Sequence, residues 1–188
     1  MARESSKSRH RPPPHKESSG PSTVTIRGWT ILAHPLFIDQ INNLVEAAER
    51  ELERGGSRAN TKLLAHLLDL AFDKIPRNPS DPQYRQGTTL GEDYKHWFRA
   101  KTGGGRYRLF FRYSSSARAI LYAWVNDDQS LRTYGKSDDA YAVFARMLAK
   151  GNPPDDWDAL VRAASKQSVS TALKRFAQRV TGRGQDFS

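Results

Sequence analysis

The chain predicts an α+β fold, a small antiparallel-rich sheet with helices packed on one face. Three features of the 188-residue sequence carry that reading. Two segments with apolar residues at helical spacing come first, a hairpin of interleaved basic and aromatic residues follows, and an almost wholly apolar strand comes next. In chain order, Gly28 to Ala33 reads as a short strand ended by His34-Pro35, because proline restrains the residue before it and suits a helix start. From Leu36, the residues Phe37, Ile41, Leu44, Val45, Ala48 and Leu52 recur at helical spacing, and Gly55-Gly56 stops that helix. A second helix runs from about Ser57, burying Leu63, Leu64, Leu67, Leu68, Ala71 and Ile75, and Pro76 closes it.

The segment NPSDPQYRQGTTLGEDY (78–94) is a loop by composition and leads into the hairpin, HWFRAK (96–101) and RYRLFFRY (106–113) about a Thr-Gly-Gly-Gly turn. AILYAWVN (119–126) is apolar enough to be the central strand. Ser137 with Asp138 and Asp139 predicts a helix cap, with Tyr141, Phe144, Met147 and Leu148 as the buried stripe up to Lys150-Gly151. Pro153-Pro154-Asp155-Asp156-Trp157 starts a short last helix that docks through Trp157 and Leu160. With all helices on one face, the other sheet face is expected to remain open.

Length and a 37% apolar content suit one domain with one core. The organisation expected is a disordered basic tail at 1–26, a folded domain at 27–164 and a basic amphipathic extension at 165–188, by default disordered until bound. In the extension Val169, Leu173, Phe176 and Val180 fall at helical spacing among Lys166, Lys174, Arg175 and Arg179; RNA, a membrane surface, a partner groove and folding back on the core all remain open for it. With no cysteine there is no disulfide frame, thiolate nucleophile or zinc cage, and no apolar run spans a bilayer. A cytoplasmic location is expected, since the N-terminus lacks the apolar stretch of a signal peptide.

The net charge of +10 is unevenly spread. Residues 1–28 carry six cations against two acids, 29–164 nineteen against seventeen, and 165–188 five against one. Inside the balanced body, however, the stretch between Asp93 and Asp127 holds Lys95, Arg99, Lys101, Arg106, Arg108, Arg112 and Arg118 and no acid. At strand period Trp97, Arg99 and Lys101 share a face, as do Arg106, Arg108 and Arg112. Clustered cations repel one another, so the pattern points to an anion, and phosphate is the one a basic, aromatic-flanked surface most often meets. A solvated sheet face whose arginines lie along aromatic neighbours is the alternative.

WTILAHPLF near the start, YRQGTTLG before the hairpin, and then RYRLFFRY, WVND, LRTYGK, DAY and PPDDW, in this order and spacing, resemble the YhaV toxins, members of the RelE-like superfamily of type II toxin–antitoxin systems. The resemblance covers roughly residues 28 to 162, an ordinary domain's length. It implies a RelE-like fold and a ribosome-associated mRNA endoribonuclease that inhibits translation. It also implies a PrlF-type antitoxin with an AbrB-like domain, and operator DNA bound only through the antitoxin complex.

The residues suit such chemistry on their own terms. RNA is cut when its 2′-hydroxyl attacks the adjacent phosphate, so an enzyme needs cations for the developing charge and groups that move two protons, and no metal or other cofactor. Arginine's planar fork suits phosphate, while lysine serves as a point charge or a proton-transfer group. Arg99, Lys101, Arg108 and Arg112 are therefore the candidate catalytic cations. The resemblance singles out Arg99, in the W-x-R position, and implies Tyr134 in LRTYGK for proton transfer or base stacking; anchoring the loop before a helix is the other reading of Tyr134. Lys95, Arg106, Arg118, Arg132 and Lys136 are the candidate RNA-binding residues.

His96 lies on the face opposite Arg99 by alternation and is expected to be a polar residue under the helices or at the strand start, while His34, at a strand-to-helix turn, is expected to pack or cap. Asp127-Asp128 and Asp155-Asp156 read as caps rather than metal ligands, and Gly103-Gly104-Gly105 as a hairpin turn, since no P-loop lysine and helix follow. A non-catalytic RNA-binding module and a transcriptional co-regulator acting through a partner remain as alternatives.

Overall fold

The structure is a computed structural model that describes residues 23–127 and 139–181. Its sheet has five strands in the order β1-β2-β5-β4-β3: β1 (Val24–Ile26), β2 (Trp29–Ala33), β3 (Phe98–Thr102), β4 (Tyr107–Ser114) and β5 (Ala119–Val125). β2 and β5 pair in parallel and the other neighbours are antiparallel. β5 is buried at every position, as its composition predicts. β1 falls inside the segment assigned to the tail; Arg27 and Gly28 join it to β2 with φ of 51° and 77°, the left-handed pair a two-residue hairpin turn requires.

The α+β class and the antiparallel-rich sheet agree with the sequence, but the helices do not keep to one face. On the first face lie α1 (Pro35–Arg54) and α2 (Ala59–Asp69), which continues through a π-turn at Leu70–Lys74 into the single turn α3 (Ile75–Arg77). They bury Phe37, Ile41, Leu67, Ala71 and Ile75 against Ile31, Leu109, Phe111, Ile120 and Tyr122. α6 (Gln167–Thr181) joins the same core through Val169, Ala172, Leu173 and Phe176. Folding back on the core, one of the four readings of this extension, is thus what the chain does.

On the second face, expected to be open, α4 (Ala140–Ala149) and α5 (Trp157–Ala164) place Tyr141, Phe144, Leu148 and Leu160 against Trp97, Phe110, Leu121 and Trp124. The Phe144 ring stacks on Phe110 at 4.2 Å and on Trp124 at 5.6 Å. The reason is in the strand register. Arg99, Phe110 and Arg112 share a face with Trp97, so the basic stripe has an apolar centre that needs a cover. A bulge opposite Phe110 and Phe111, where pairing skips Ala123, turns Trp124 onto that face as well.

Two local devices fix the first layer. In the π-turn the Ile75 N–H bonds Leu70 O, and Pro76 has no N–H to offer, so the Ala71 carbonyl is left without a helical donor; the buried Tyr122 hydroxyl donates to it at 2.5 Å. Burial raises that phenol's pKa well above its ordinary value, keeping it protonated as a donor. Across the α1–α2 turn, the Glu51 carboxylate accepts from the Asn60 and Thr61 backbone N–H groups at 3.0 and 3.2 Å, capping α2 from outside its own helix.

His34, 4% exposed, caps α1 by accepting from Leu36 N–H through Nδ1 at 3.3 Å, a role open only to an unprotonated nitrogen. Burial lowers its pKa from 6.5 to about 4, with Lys166 adding to the effect and Asp39 opposing it. The folded value lies below the unfolded one, so the unfolded chain binds the extra proton between the two. This stability is fully present above pH ~6.5 and is lost as pH falls toward ~4, amounting to about 2 kcal/mol at pH ~5. Urea unfolding at neutral pH and near pH ~5 checks it: wild type should lose this increment and His34→Asn, which keeps an acceptor without the titration, should not. Equal pH responses would show that His34 does not govern acid stability.

Candidate nucleic-acid interface

β3 is an edge strand, bridged on its open side, among the described residues, only by Arg85 to Phe98 at its start. Alternation along it puts Arg99 and Lys101 on the side of α4 at the sheet margin, where only the near end of that helix, at Tyr141, meets Arg99. There they meet side chains that are remote in sequence. A depression of about 910 Å³ is lined by Lys74 and Arg77 from the end of the α2–α3 rod, Gln83, Tyr84 and Arg85 from the turn before β3, and Arg99 and Lys101. Asp81 is the single acid in its wall, and it is engaged in capping the turn, accepting from Gln83 N–H at 2.9 Å.

Arg99 is held in place. Its Nε donates to the Tyr141 hydroxyl at 2.9 Å and its Nη1 to the Gln83 carbonyl at 2.5 Å, which leaves three of a guanidinium's five N–H groups for another acceptor. The Lys101 side chain is exposed and makes no hydrogen bond or ion pair among the described residues. Lys74 and Arg77 carry partial neutralisation from Asp69 at 2.7 Å and Asp73 at 2.6 Å. Tyr84 forms the floor, 6% exposed and edge-on to Phe111; burial, with Asp81 adding, raises its pKa.

The other cations do not join them. Arg108 is 5% exposed and turns its guanidinium back on the hairpin, Nη1 donating to the Gly105 and Tyr107 carbonyls. The turn it closes is made by Gly103, Gly104 and Gly105, which all take left-handed φ, at 57°, 64° and 83°. Arg112 lies between two indoles, 5.5 Å from Trp97 and 5.4 Å from Trp157, and donates to the Asp155 carbonyl. Desolvation there lowers its pKa, opposed by Asp155 and Asp156. The fold therefore holds Arg108 and Arg112 inward, Arg108 bonded to the turn through Nη1 with its buried Nε left without a partner among the described residues, and Arg112 pinning the start of α5 to the sheet. The cation cluster expected from alternation, Arg99 and Lys101 on one strand with Arg106, Arg108 and Arg112 on the next, is thus divided between exposed and enclosed positions.

Lys95 is exposed and paired with Glu92, Arg106 is exposed beyond the glycine turn, and Arg118 lies over the Trp29 ring at 4.5 Å at the far end of the sheet. Tyr134, Arg132 and Lys136 lie outside the described residues. Asp156 caps α5 through Ala159 N–H as expected, whereas Asp155 accepts from the His96 and Trp97 side chains on one oxygen, at 2.7 and 2.6 Å, rather than capping a backbone amide. Among the described residues no three His, Cys, Asp or Glu side chains come together in a metal-binding group, and no helix is long and apolar enough to cross a membrane.

The sequence reading missed Lys74, Arg77 and Arg85. Lys74 and Arg77, three apart at the end of a helix, and Arg85 in YRQG are visible as cations, but nothing local says that they face β3.

The profile of a family described as a toxin with endonuclease activity, of toxin–antitoxin systems, and named for YhaV, matches residues 31–165. The ribonuclease toxin YhaV of Escherichia coli K12 is 45% identical over 142 residues, covering 73% of this chain and 92% of that protein, and toxin YhaV of E. coli O157:H7 matches to the same extent. Among solved structures, the RelBE2 toxin–antitoxin complex of Mycobacterium tuberculosis aligns with 56% of this chain and 95% of its own at 18% identity and a TM-score of 0.36.

Proposed function

We propose that this chain, which belongs to the YhaV family of toxins with endonuclease activity from toxin–antitoxin systems, cuts RNA at the β3-edge depression. One observation carries the reading: a guanidinium clamped by Tyr141 and Gln83 stands in a wall of five cations and one committed carboxylate. A clamped arginine needs little reorganisation to receive phosphate, which is the condition for stabilising charge that develops only in the transition state. Arg99 grips the non-bridging oxygens of the scissile phosphate as the 2′-oxygen closes on phosphorus and the 5′-oxygen leaves. Lys101, free of acidic partners, supplies the second charge, and Lys74, Arg77 and Arg85 hold the flanking backbone. Tyr134 is assigned proton transfer by the resemblance of LRTYGK to the family motif.

The products are then a 2′,3′-cyclic phosphate and a 5′-hydroxyl, formed without a divalent metal. End-group analysis of RNA cleaved by the purified protein in the presence of a chelator checks this. A 5′-phosphate product, or loss of activity on protein-free RNA when metal is removed, contradicts it. Running the same assay with and without ribosomes separates an enzyme acting on free RNA from one acting on translated mRNA, and binding without any product would favour the non-catalytic RNA-binding reading.

The same charge explains the partner. A PrlF-type antitoxin with an AbrB-like domain would silence the toxin by offering carboxylates in place of phosphate, and would carry the complex to operator DNA. The setting is the cytoplasm, where mRNA and ribosomes are found.

A further inference from the structure

A second hollow of about 400 Å³ adjoins the first. Arg77 and Asn78 line both, and on the far side of them the wall is made by Arg27, Trp29, Tyr113 and Arg118. Three elements distant in sequence meet here: the β1–β2 turn, the α3 end and the β4–β5 turn. Its lining contains three arginines and no acid. Asp73, just behind it, draws two of them together, accepting from Arg27 Nη2 at 3.1 Å and from Arg77 Nη2 at 2.6 Å. One carboxylate between two guanidinia leaves an excess of positive charge and N–H donors facing outward.

The third arginine is built differently. The Arg118 guanidinium lies over the buried Trp29 ring, its carbon 4.5 Å from the ring centre, and Trp29 is in turn set edge-on to Tyr113 at 6.1 Å. Both Arg27 and Arg118 hold left-handed φ, 51° and 48°, although neither is glycine, so two strained backbones converge on one hollow. Gly28 belongs to the same arrangement: a Cβ there would lie 3.0 Å from Arg118 Nη2, close enough to push the guanidinium aside by a few tenths of an ångström. A guanidinium backed by an indole offers its outer face as a stacking platform, and unpaired RNA bases stack on such planes.

Resting on the function proposed above, we infer that this hollow is a second nucleotide subsite of the same RNA strand. A flanking base stacks on Arg118, its phosphate sits between Arg27 and Arg77, and Arg77 links it to the depression where the cut is made. The subsite extends the footprint of the enzyme past the scissile step and contributes binding rather than chemistry.

The test uses the full chain and labelled 2′-O-methyl oligouridylates, which lack the attacking hydroxyl, as a trimer and a dodecamer, in fluorescence anisotropy over a salt series. The variants are Arg27→Gln and Arg118→Gln, with Arg118→Lys added to keep the charge and remove the planar stack. For the dodecamer, both Gln variants should bind on the order of tenfold more weakly. Arg27→Gln should also lower the salt slope by about 0.7, one single-strand phosphate. Arg118→Lys should recover the salt slope and not the affinity, while trimer binding stays at the wild-type value. Variants that bind the dodecamer as wild type does, or that lose trimer and dodecamer equally, overturn the subsite while the function proposal stands. A wild-type protein that binds neither oligonucleotide and cleaves no RNA overturns both. Matching thermal unfolding curves for wild type and Arg118→Lys establish that the comparison reads binding and not folding.

Discussion

Arg99→Ala should abolish growth inhibition and reduce RNA cleavage by two to three orders of magnitude, on the order of 2–4 kcal/mol in barrier height, the cost of removing one preorganised donor from an anionic transition state. The clamp makes the effect specific. Tyr141 is anchored in the α4 core and Gln83 presents a backbone carbonyl, so both survive the substitution, and a half-buried surface arginine contributes little to folding. Arg99→Lys should fail almost as badly. A lysine cannot make the two differently directed bonds to Tyr141 and Gln83 and still present donors to phosphate. Single-turnover cleavage together with the thermal midpoint is the measurement. A variant with wild-type rates would remove Arg99 from the reacting centre, and one that unfolded would assign it to the fold.

The second large effect concerns α6. Ending the chain at Ser165 strips the first-face core of Val169, Ala172, Leu173 and Phe176, each at most 6% exposed. Burial of such side chains stabilises by about 1.5–3 kcal/mol apiece for the larger three, and after the helix's own ordering cost the net loss is on the order of 5 kcal/mol. That is comparable with the whole stability of many domains, so the truncated chain should be largely insoluble or melt at least ~10 °C lower. The helix lies beyond residue 165, where the family match ends, so this part of the core is supplied by a segment outside the family pattern. A truncated protein with an unchanged melting temperature would show that α6 is a passive appendage, as the disordered extension first expected would be.

The two effects mark where local and long-range information part. The helices at α1, α2, α4 and α5, the glycine-turned hairpin and the central β5 were legible because each announces itself by a 3.6 or 2.0 period and by punctuating Pro and Gly within a few residues. Alternation also sorted Trp97, Arg99 and Phe110 onto one side, but it failed for His96, which lies in the turn before β3 and reaches the same Asp155 oxygen as Trp97. Family membership was likewise readable, since it rests on motifs in order along the chain.

What alternation could not report is what lies over a face. Arg99 and Arg112 point the same way, yet one emerges at the sheet margin and the other is enclosed between Trp97 and Trp157. The difference is made by α4 and α5, whose positions follow from apolar surface finding apolar surface across dozens of residues, an interaction without direction or sequence spacing. By the same route Lys74, Arg77 and Arg85, scattered in sequence, were brought to Lys101 only when α2 packed beside β3. The sequence by itself therefore determined the elements, the family and the surplus of cations. Tertiary packing alone decided which cations remain in water and within reach of a phosphate, because desolvation is set by the neighbours a side chain acquires and not by its place in the strand.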